Sequence, residues 1–181
     1  MKSLEITVCY PAWTWVKHPE RRFIKVSYSD SLSRKHNVLT RDIIQSPWYT
    51  ANWGDRFSLK DDVNRQNEFK NTHQGLMFST SVGGALTGKA ATASSWTTRR
   101  TPLQANSETE REATIAFFKN TLQSRLNDPK TGVFIIVMQR LHEKDLTGHI
   151  LAEDLGYTHL LPPRAEAPQR TIITFPVSGR E

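Results

Sequence analysis

The sequence has 181 residues, of which 37% are hydrophobic and 23% charged, so it fits one soluble domain with its own core and excludes two large domains. The formal net charge of +6 favours a polyanionic partner such as DNA, although the basic residues are scattered and a solvated basic surface explains them equally well. No apolar run is long enough to span a membrane, and the single cysteine, Cys9, excludes an internal disulfide and favours a reducing cytoplasm.

Apolar spacing predicts alternating helices and strands in the first half of the chain. In the first helix, Ile6 and Trp13 widen the apolar stripe, and Cys9 is expected in the core. Pro11 should kink or split this helix, because proline has no amide hydrogen to donate. The predicted elements are a helix over 2–16, a strand over 22–27, a helix over 30–45, and strands over 68–71 and 76–81.

An irregular stretch over residues 47–57 is rich in aromatic side chains. Trp48, Tyr49 and Trp53 have the chemistry to stack on nucleic-acid bases. Clustered aromatic residues are more often buried, so core packing is the expected use here.

The second half of the chain continues the alternation. The unbroken apolar run over 133–138 is typical of a central parallel strand that is covered on both faces. Alternating strands and helices predict an α/β fold with a layered, mainly parallel sheet, into which a β-hairpin is inserted. The predicted elements are a helix over 106–126 capped by Asn106, a strand over 132–139, a helix over 143–155, and strands over 157–161 and 171–175.

Residues 90–100 break this pattern, because an α/β chain should have a buried strand here. The segment A-A-T-A-S-S-W-T-T-R-R is almost entirely polar, and a surface loop is the simplest interpretation. Reading the codons one base earlier permits G-G-D-R-I-I-V-D-D-P over 90–99, which places an acidic pair at Thr97 and Thr98. Apolar residues followed by two acids are the form of a Walker B strand, which holds Mg²⁺. We therefore hypothesise two compensating one-base changes. Because a polar segment would replace a central strand, we expect the protein to be marginally stable or to associate.

Six strings occur in an order that resembles the ATPase domain of phage terminase large subunits. They are P-A-W (11–13), R-F-I-K-V-S-Y-S (22–29), R-D-I-I-Q-S-P-W-Y (41–49), S-V-G-G-A-L-T-G-K (81–89), Q-A-N-S-E-T-E-R (104–111) and Q-R-L-H-E-K-D-L-T-G (139–148). The resemblance implies an incomplete P-loop NTPase-like fold and an ATP-driven motor for viral DNA packaging.

The resemblance also implies site residues. Lys2 would reach the ATP phosphates and Ser3 would bind Mg²⁺, with the chain beginning inside its P-loop. The family's acidic pair is expected at Thr97 and Thr98, and without carboxylates there we expect negligible ATP turnover. Candidates for sensing ATP and coupling it to DNA movement are Gln139, Arg140, His142 and Asp145.

Structural alternatives remain open for two of these groups. Arg140 and Asp145 would otherwise form an ion pair, with His142 on the surface. Gly83, Gly84 and Gly88 suit a turn or a DNA-facing loop better than a second phosphate cradle, because a glycine cluster alone is weak evidence. The histidines are dispersed and show no metal-ligand spacing.

By the same resemblance, residues 1–161 are a partial ATPase domain, and 162–181 begin the connection to an absent nuclease domain. The implied partners are double-stranded DNA, the terminase small subunit, the portal and other large-subunit copies, in the cytoplasm of a bacterial host. The alternatives are a DNA-binding or assembly-interaction module without catalysis, and a prophage remnant without function.

Overall fold

The structure, a computed structural model, describes residues 2–86, 88–98, 106–122, 125, 132–160 and 170–174. The helices are α1 (Lys2–Leu4, continued by π-helical Glu5–Cys9 and α-helical Tyr10–Lys17), α2 (Asp30–Ile44), α3 (Pro47–Trp53), α4 (Glu108–Phe117, continued by π-helical Phe118–Leu122) and α5 (Leu146–Ala152). The strands are β1 (Arg22–Ser27), β2 (Leu59–Asn64), β3 (Glu68–Asn71), β4 (Leu76–Ser81), β5 (Ala93–Thr98), β6 (Val133–Gln139), β7 (Thr158–Leu160) and β8 (Arg170–Thr174).

The described strands form one sheet in the order β2-β3-β4-β1-β5-β6-β8-β7. The central neighbours β4, β1, β5 and β6 are parallel. The outer pairs at both ends are antiparallel. The predicted α/β class, with a parallel centre and an inserted hairpin of β3 and β4, is confirmed. The edge strand β2 was not predicted.

The two faces of the sheet carry separate apolar cores. Helices α1, α2 and α3 cover one face, where Trp15, Phe23 and Met77 are buried. Helices α4 and α5 cover the other face, where Ile24 and Ile136 are buried. Successive residues of β1 alternate between the faces, as the pleat of a strand requires.

A π-helical segment interrupts α1 where the sequence predicts a kink. The amide of Tyr10 bonds to the carbonyl of Glu5, five residues back, and Pro11 then begins the α-helical stretch without a break. Cys9 is exposed, so its predicted place in the core is wrong.

Short polar side chains begin the helices. Ser29 caps α2, and the hydroxyl of Ser46 caps α3 by accepting from the amide of Tyr49 at 3.2 Å. Pro47 follows that cap at the first helical position, so the stretch predicted to be irregular begins as a helix. Ser107 caps α4, one residue beyond the predicted Asn106.

The polar segment over 90–100 contains the central strand β5, so its interpretation as a surface loop is wrong. Phe23 and Ser27 of β1 pair with Ala93 and Thr97, and β6 pairs along the other side of β5. The backbone groups of β5 are thus bonded on both sides whatever the side chains are. This explains how a serine- and threonine-rich segment takes a central position.

The last described strand belongs to the same sheet. β8 pairs antiparallel with both β6 and β7. The domain boundary predicted between residues 161 and 162 falls in a stretch that lies outside the described residues.

Candidate functional site

The carboxyl ends of β4, β1, β5 and β6 meet at one edge of the sheet, because these neighbours are parallel. Ser27 at the end of β1 pairs with Ser81 on one side and with Thr97 on the other. Thr98 and Gln139 end β5 and β6 at the same edge. Three predicted site residues therefore come together where α/β sheets commonly bind ligands. The side chain of Thr98 lies outside the described part.

Lys2 and Ser3 form the first turn of α1. The Ser3 carbonyl accepts a hydrogen bond from the Thr7 hydroxyl, and Thr7 Oγ1 is 3.3 Å from His36 Nδ1 on α2. Because α1 runs toward the amino end of β1, its first turn lies on the same side of the molecule as Thr97. The Lys2 side chain lies outside the described part.

The loop after β6 holds Arg140 and His142 in local contacts. Arg140 Nη2 lies 3.4 Å from the Glu143 carbonyl oxygen. The amide of Lys144 donates to His142 Nδ1 at 3.0 Å. Both side chains thus bond to the backbone of their own loop.

Asp145 is a helix cap. Its Oδ1 accepts from the amide of Gly148 at 3.0 Å, at the start of α5. Asp145 is buried, and its Oδ2 has no hydrogen-bond partner in the described part of the chain. The ion pair with Arg140 is not formed, because each side chain is held by its own loop instead.

The glycine-rich loop makes turns. Gly83 and Gly88 have φ values of 78° and 70°, in the left-handed region that glycine adopts without steric cost. The amide of Val82 donates to the Ser27 carbonyl at 3.0 Å, which ties the loop to the end of β1. Lys89 forms an ion pair with Glu68, with Nζ and Oε1 2.6 Å apart. These contacts give the loop and its lysine structural uses.

A buried polar layer lies between β1 and α2. Lys25 Nζ donates to Thr40 Oγ1 at 2.5 Å, and burial lowers the pKa of Lys25 from 10.5 to about 7. Burial, followed by the positive charges of Lys25 and Lys35, lowers the pKa of His36 to about 4. His36 is therefore held neutral at pH 7, and Lys25 becomes neutral as the pH rises above about 7.

Several hydroxyls beside this layer have no hydrogen-bond partner among the described residues. Ser27, Ser95 and Thr97 are buried on the same face of the sheet as Lys25, and Ser94 is buried on the opposite face. An unpaired buried hydroxyl costs stability, so β5 is destabilising through its side chains and stabilising through its backbone.

An apolar groove lies between α1 on one side and α2 and α3 on the other, with a volume of about 740 Å³. Leu4, Trp13 and Trp48 lie around it and are 45%, 56% and 65% exposed. The lining residues are Leu4, Val8, Cys9, Ala12, Trp13, Leu39, Asp42, Ile43, Ser46, Trp48, Tyr49 and Trp53. This is the candidate functional site.

The walls of the groove are joined by Tyr49. Its hydroxyl donates to the Ala12 carbonyl at 2.8 Å, which fixes α3 to α1. Trp48 meets Trp53 edge to face, with ring centroids 5.0 Å apart. Tyr49 is buried as predicted, whereas the predicted burial of Trp48 is wrong.

One feature of the sequence indicates this groove, although it was not used to predict one. The apolar stripe of the first helix is too wide for one contact, since Trp13 extends it beyond the face that covers the sheet. A second apolar face predicts a second contact. The walls contributed by α2 and α3 depend on tertiary packing and leave no comparable local pattern.

No family model matches the chain, and no curated protein matches it. Among solved structures, the fold is similar to one described as a putative methyltransferase from Thermoplasma acidophilum. The sequence identity is 8% and the TM-score is 0.35, with 89% of this chain and 70% of that chain covered. Values this low transfer neither a family nor an activity to this chain.

The resemblance to terminase large subunits is corrected by these comparisons. No terminase family model and no curated terminase matches the chain, and the similar structure reported above carries a methyltransferase description. The prediction of a terminase ATPase fragment for DNA packaging is therefore wrong. ATP and the terminase partners were implied by that resemblance, whereas Mg²⁺ was also suggested by the shifted reading of residues 90–99 and DNA also by the net charge of +6. The comparisons test none of these, and they stay predictions.

The strings that carried the resemblance have local structural explanations. Ser46 and Pro47 begin α3. In the last string Asp145 caps α5, and a Cβ on Gly148 would lie 1.7 Å from the Glu143 carbonyl oxygen, so a glycine is required there. β5 forms with the serines and threonines as they stand. The strand whose apparent absence motivated the shifted reading frame is therefore present.

Two further features concern ions and membranes. Within the described ranges, no group of three His, Cys, Asp or Glu side chains converges in a way that could hold a metal ion. Every described helix is too short or too polar to cross a bilayer.

Proposed function

We propose that this chain is a protein-binding module that docks an apolar surface of a partner in the groove between α1, α2 and α3. The observation that carries this proposal is the clustering of exposed apolar side chains. Of the five large ones in the described part of the chain, Leu4, Trp13 and Trp48 surround this one groove. Single exposed apolar residues are ordinary, but a contiguous patch is typical of an interaction surface.

The chemistry of the patch supports a binding role. Tryptophan is enriched among the residues that dominate the energy of protein interfaces. Covering the exposed part of Trp13 or Trp48 would contribute roughly 3 kcal/mol each before the costs of association. The bond between Tyr49 and Ala12 preforms the groove, which reduces those costs.

A protein surface fits this groove better than a small molecule does. Small-molecule sites enclose most of their ligand. Here the rings of Trp13 and Trp48 are 56% and 65% exposed at the rims of the groove. Rings that project into solvent in this way suit contact with a second large surface.

A synthetic amphipathic helix of leucine and lysine tests the proposal. Its leucines match the apolar lining, and its lysines match Asp42, the carboxylate at the groove. We expect the fluorescently labelled peptide to bind, and a scrambled peptide without an apolar face to bind about tenfold more weakly or worse. Changing both Trp13→Ser and Trp48→Ser should weaken binding by at least about tenfold.

Two controls distinguish binding in this groove from nonspecific hydrophobic binding elsewhere on the surface. Leu151→Ser removes an apolar side chain of α5, 39% exposed and away from the groove, and should leave binding unchanged. Cys9, the only cysteine of the chain, is exposed and lines the groove, so bound peptide should slow its reaction with a thiol reagent. Full binding by the double tryptophan variant, or unprotected Cys9 at saturation, would contradict the proposal.

A further inference from the structure

The groove and the side chains able to fill it belong to the same surface. Trp13 and Trp48 project from its rims, while the groove between them has a volume of about 740 Å³. That volume is within the range that accommodates a ligand far larger than one indole ring. Projecting rings and a groove with room to receive one of them lie on the same patch, which allows two copies to pair about a two-fold axis.

We infer that the partner is a second copy of this chain, in a two-fold dimer in which Trp48 of each copy inserts into the groove of the other. This inference rests on the proposed function above. It adds the identity of the occupant.

The ionisable groups around the groove support a second copy. Lys17 Nζ lies 5.4 Å from the centre of the Trp13 ring, on the α1 wall. Asp42 lines the opposite wall. Both side chains are exposed, and in the described part of the chain neither forms an ion pair within one copy. A base and an acid that lack ion-pair partners in the described part, one on each wall, are complementary to the same patch on another copy.

A two-fold axis parallel to the groove gives both charged side chains an oppositely charged partner in the second copy. Such an axis places the α1 wall of each copy against the α2 and α3 wall of the other. α1 and α2 both run toward the amino edge of the sheet, so Lys17 and Asp42 lie toward the same end of the groove. Each Lys17 then faces the second copy's Asp42, and the contact occurs twice.

Charge exchange between the two positions tests this arrangement by sedimentation velocity on the whole chain. We expect the wild type to dimerise. Lys17→Asp places two acids in contact on each side of the two-fold axis, and Asp42→Lys places two bases there. Each variant alone should dimerise at least about tenfold more weakly. Mixing the two variants restores an acid opposite a base at both contacts, so the mixture should form a heterodimer.

Trp48→Ser should also weaken dimerisation, and Leu151→Ser should not. The reactivity of Cys9 in the unmodified protein is a measurement that needs no variant, because a dimer should protect this thiol increasingly as protein concentration rises. A wild-type monomer with concentration-independent Cys9 reactivity would overturn the inference, as would a dimer that ignores the charge and Trp48 changes. If the monomer still binds the amphipathic peptide through Trp13 and Trp48, only the inference fails. If it does not, the proposed function fails as well.

Discussion

Lys25 on β1 donates a 2.5 Å hydrogen bond to Thr40 on α2, inside the interface between the sheet and the helix. Burial lowers the pKa of Lys25 from 10.5 to about 7, so the folded protein holds this amine neutral above pH 7. The unfolded chain keeps the amine charged up to its ordinary pKa. Between these two values the unfolded state binds more protons, and the free energy of unfolding therefore rises with pH.

We expect Lys25→Met to stabilise the protein at pH 7, by about 2 kcal/mol, because it removes the cost of burying an amine. It should also abolish most of the rise in the free energy of unfolding between pH 7 and about 10, which is on the order of a few kcal/mol for this group. Urea unfolding at both pH values measures the stabilisation and the loss of the pH-dependent rise. Lys35→Met, at an exposed position of α2, is the matched control and should preserve the rise. A less stable Lys25→Met protein with an unchanged pH profile would contradict the prediction.

His36 predicts a second pH dependence, on the acidic side. Its pKa is lowered from 6.5 to about 4, by burial first and then by Lys25 and Lys35. As the pH falls from 6.5, the unfolded chain takes up a proton that the folded protein refuses, so Tm should fall between pH 6.5 and 4.

His36→Gln should reduce this acid sensitivity, because glutamine does not titrate. The control is His18→Gln, since His18 is exposed at the end of α1. Thermal unfolding at pH 7 and about 4.5 compares the variants. If His36→Gln loses as much Tm on acidification as the wild type does, His36 is not the responsible group.

Two threonines of equal burial should respond oppositely to replacement by valine. Thr97 and Thr114 are each 3% exposed. The Thr97 hydroxyl has no hydrogen-bond partner in the described part, whereas Thr114 donates to the Glu110 carbonyl at 2.8 Å. Thr97→Val should stabilise the protein by about 1 kcal/mol, and Thr114→Val should destabilise it by about as much. Destabilisation of both in urea unfolding would show that the hydroxyl of Thr97 is satisfied.

Asp145 should stabilise the protein mainly through the hydrogen bond by which it caps α5. Asp145→Ala removes the acceptor for the Gly148 amide and should cost about 1 kcal/mol, whereas Asp145→Asn keeps an acceptor oxygen and should cost less. Urea unfolding of the two variants measures the difference. Equal losses would indicate that the negative charge of Asp145 matters more than its hydrogen bond.

Much of the fold is predictable because periodicity and caps are local. The apolar run of β6 predicts a central parallel strand, and the structure places it in the parallel centre of the sheet. Helix α2 is predicted from its apolar spacing, and Ser29 marks its start. The cap and proline at residues 46 and 47 are an equally local signal for α3, and the aromatic content of that stretch obscured it.

The rest depends on contacts that are distant in sequence. β5 is a strand because β1 and β6 bond its backbone on both sides, and its own side chains do not predict a buried position. The groove needs Trp13 and Trp48, which are brought together only when α1 packs beside α3. The resemblance to terminases failed because short strings containing caps and required glycines recur wherever the same local structures form.

The π-helical segment over Glu5–Cys9 contains one residue more in its turn than a turn of the surrounding α-helix does. Deleting one residue there would restore regular spacing, and everything on its amino-terminal side would rotate by about 100° about the helix axis. Leu4 would leave the groove, while Trp13, beyond the segment, would keep its place. One end of the proposed binding surface can therefore be gained or lost in a single in-frame insertion or deletion, without any change to the sheet beneath it.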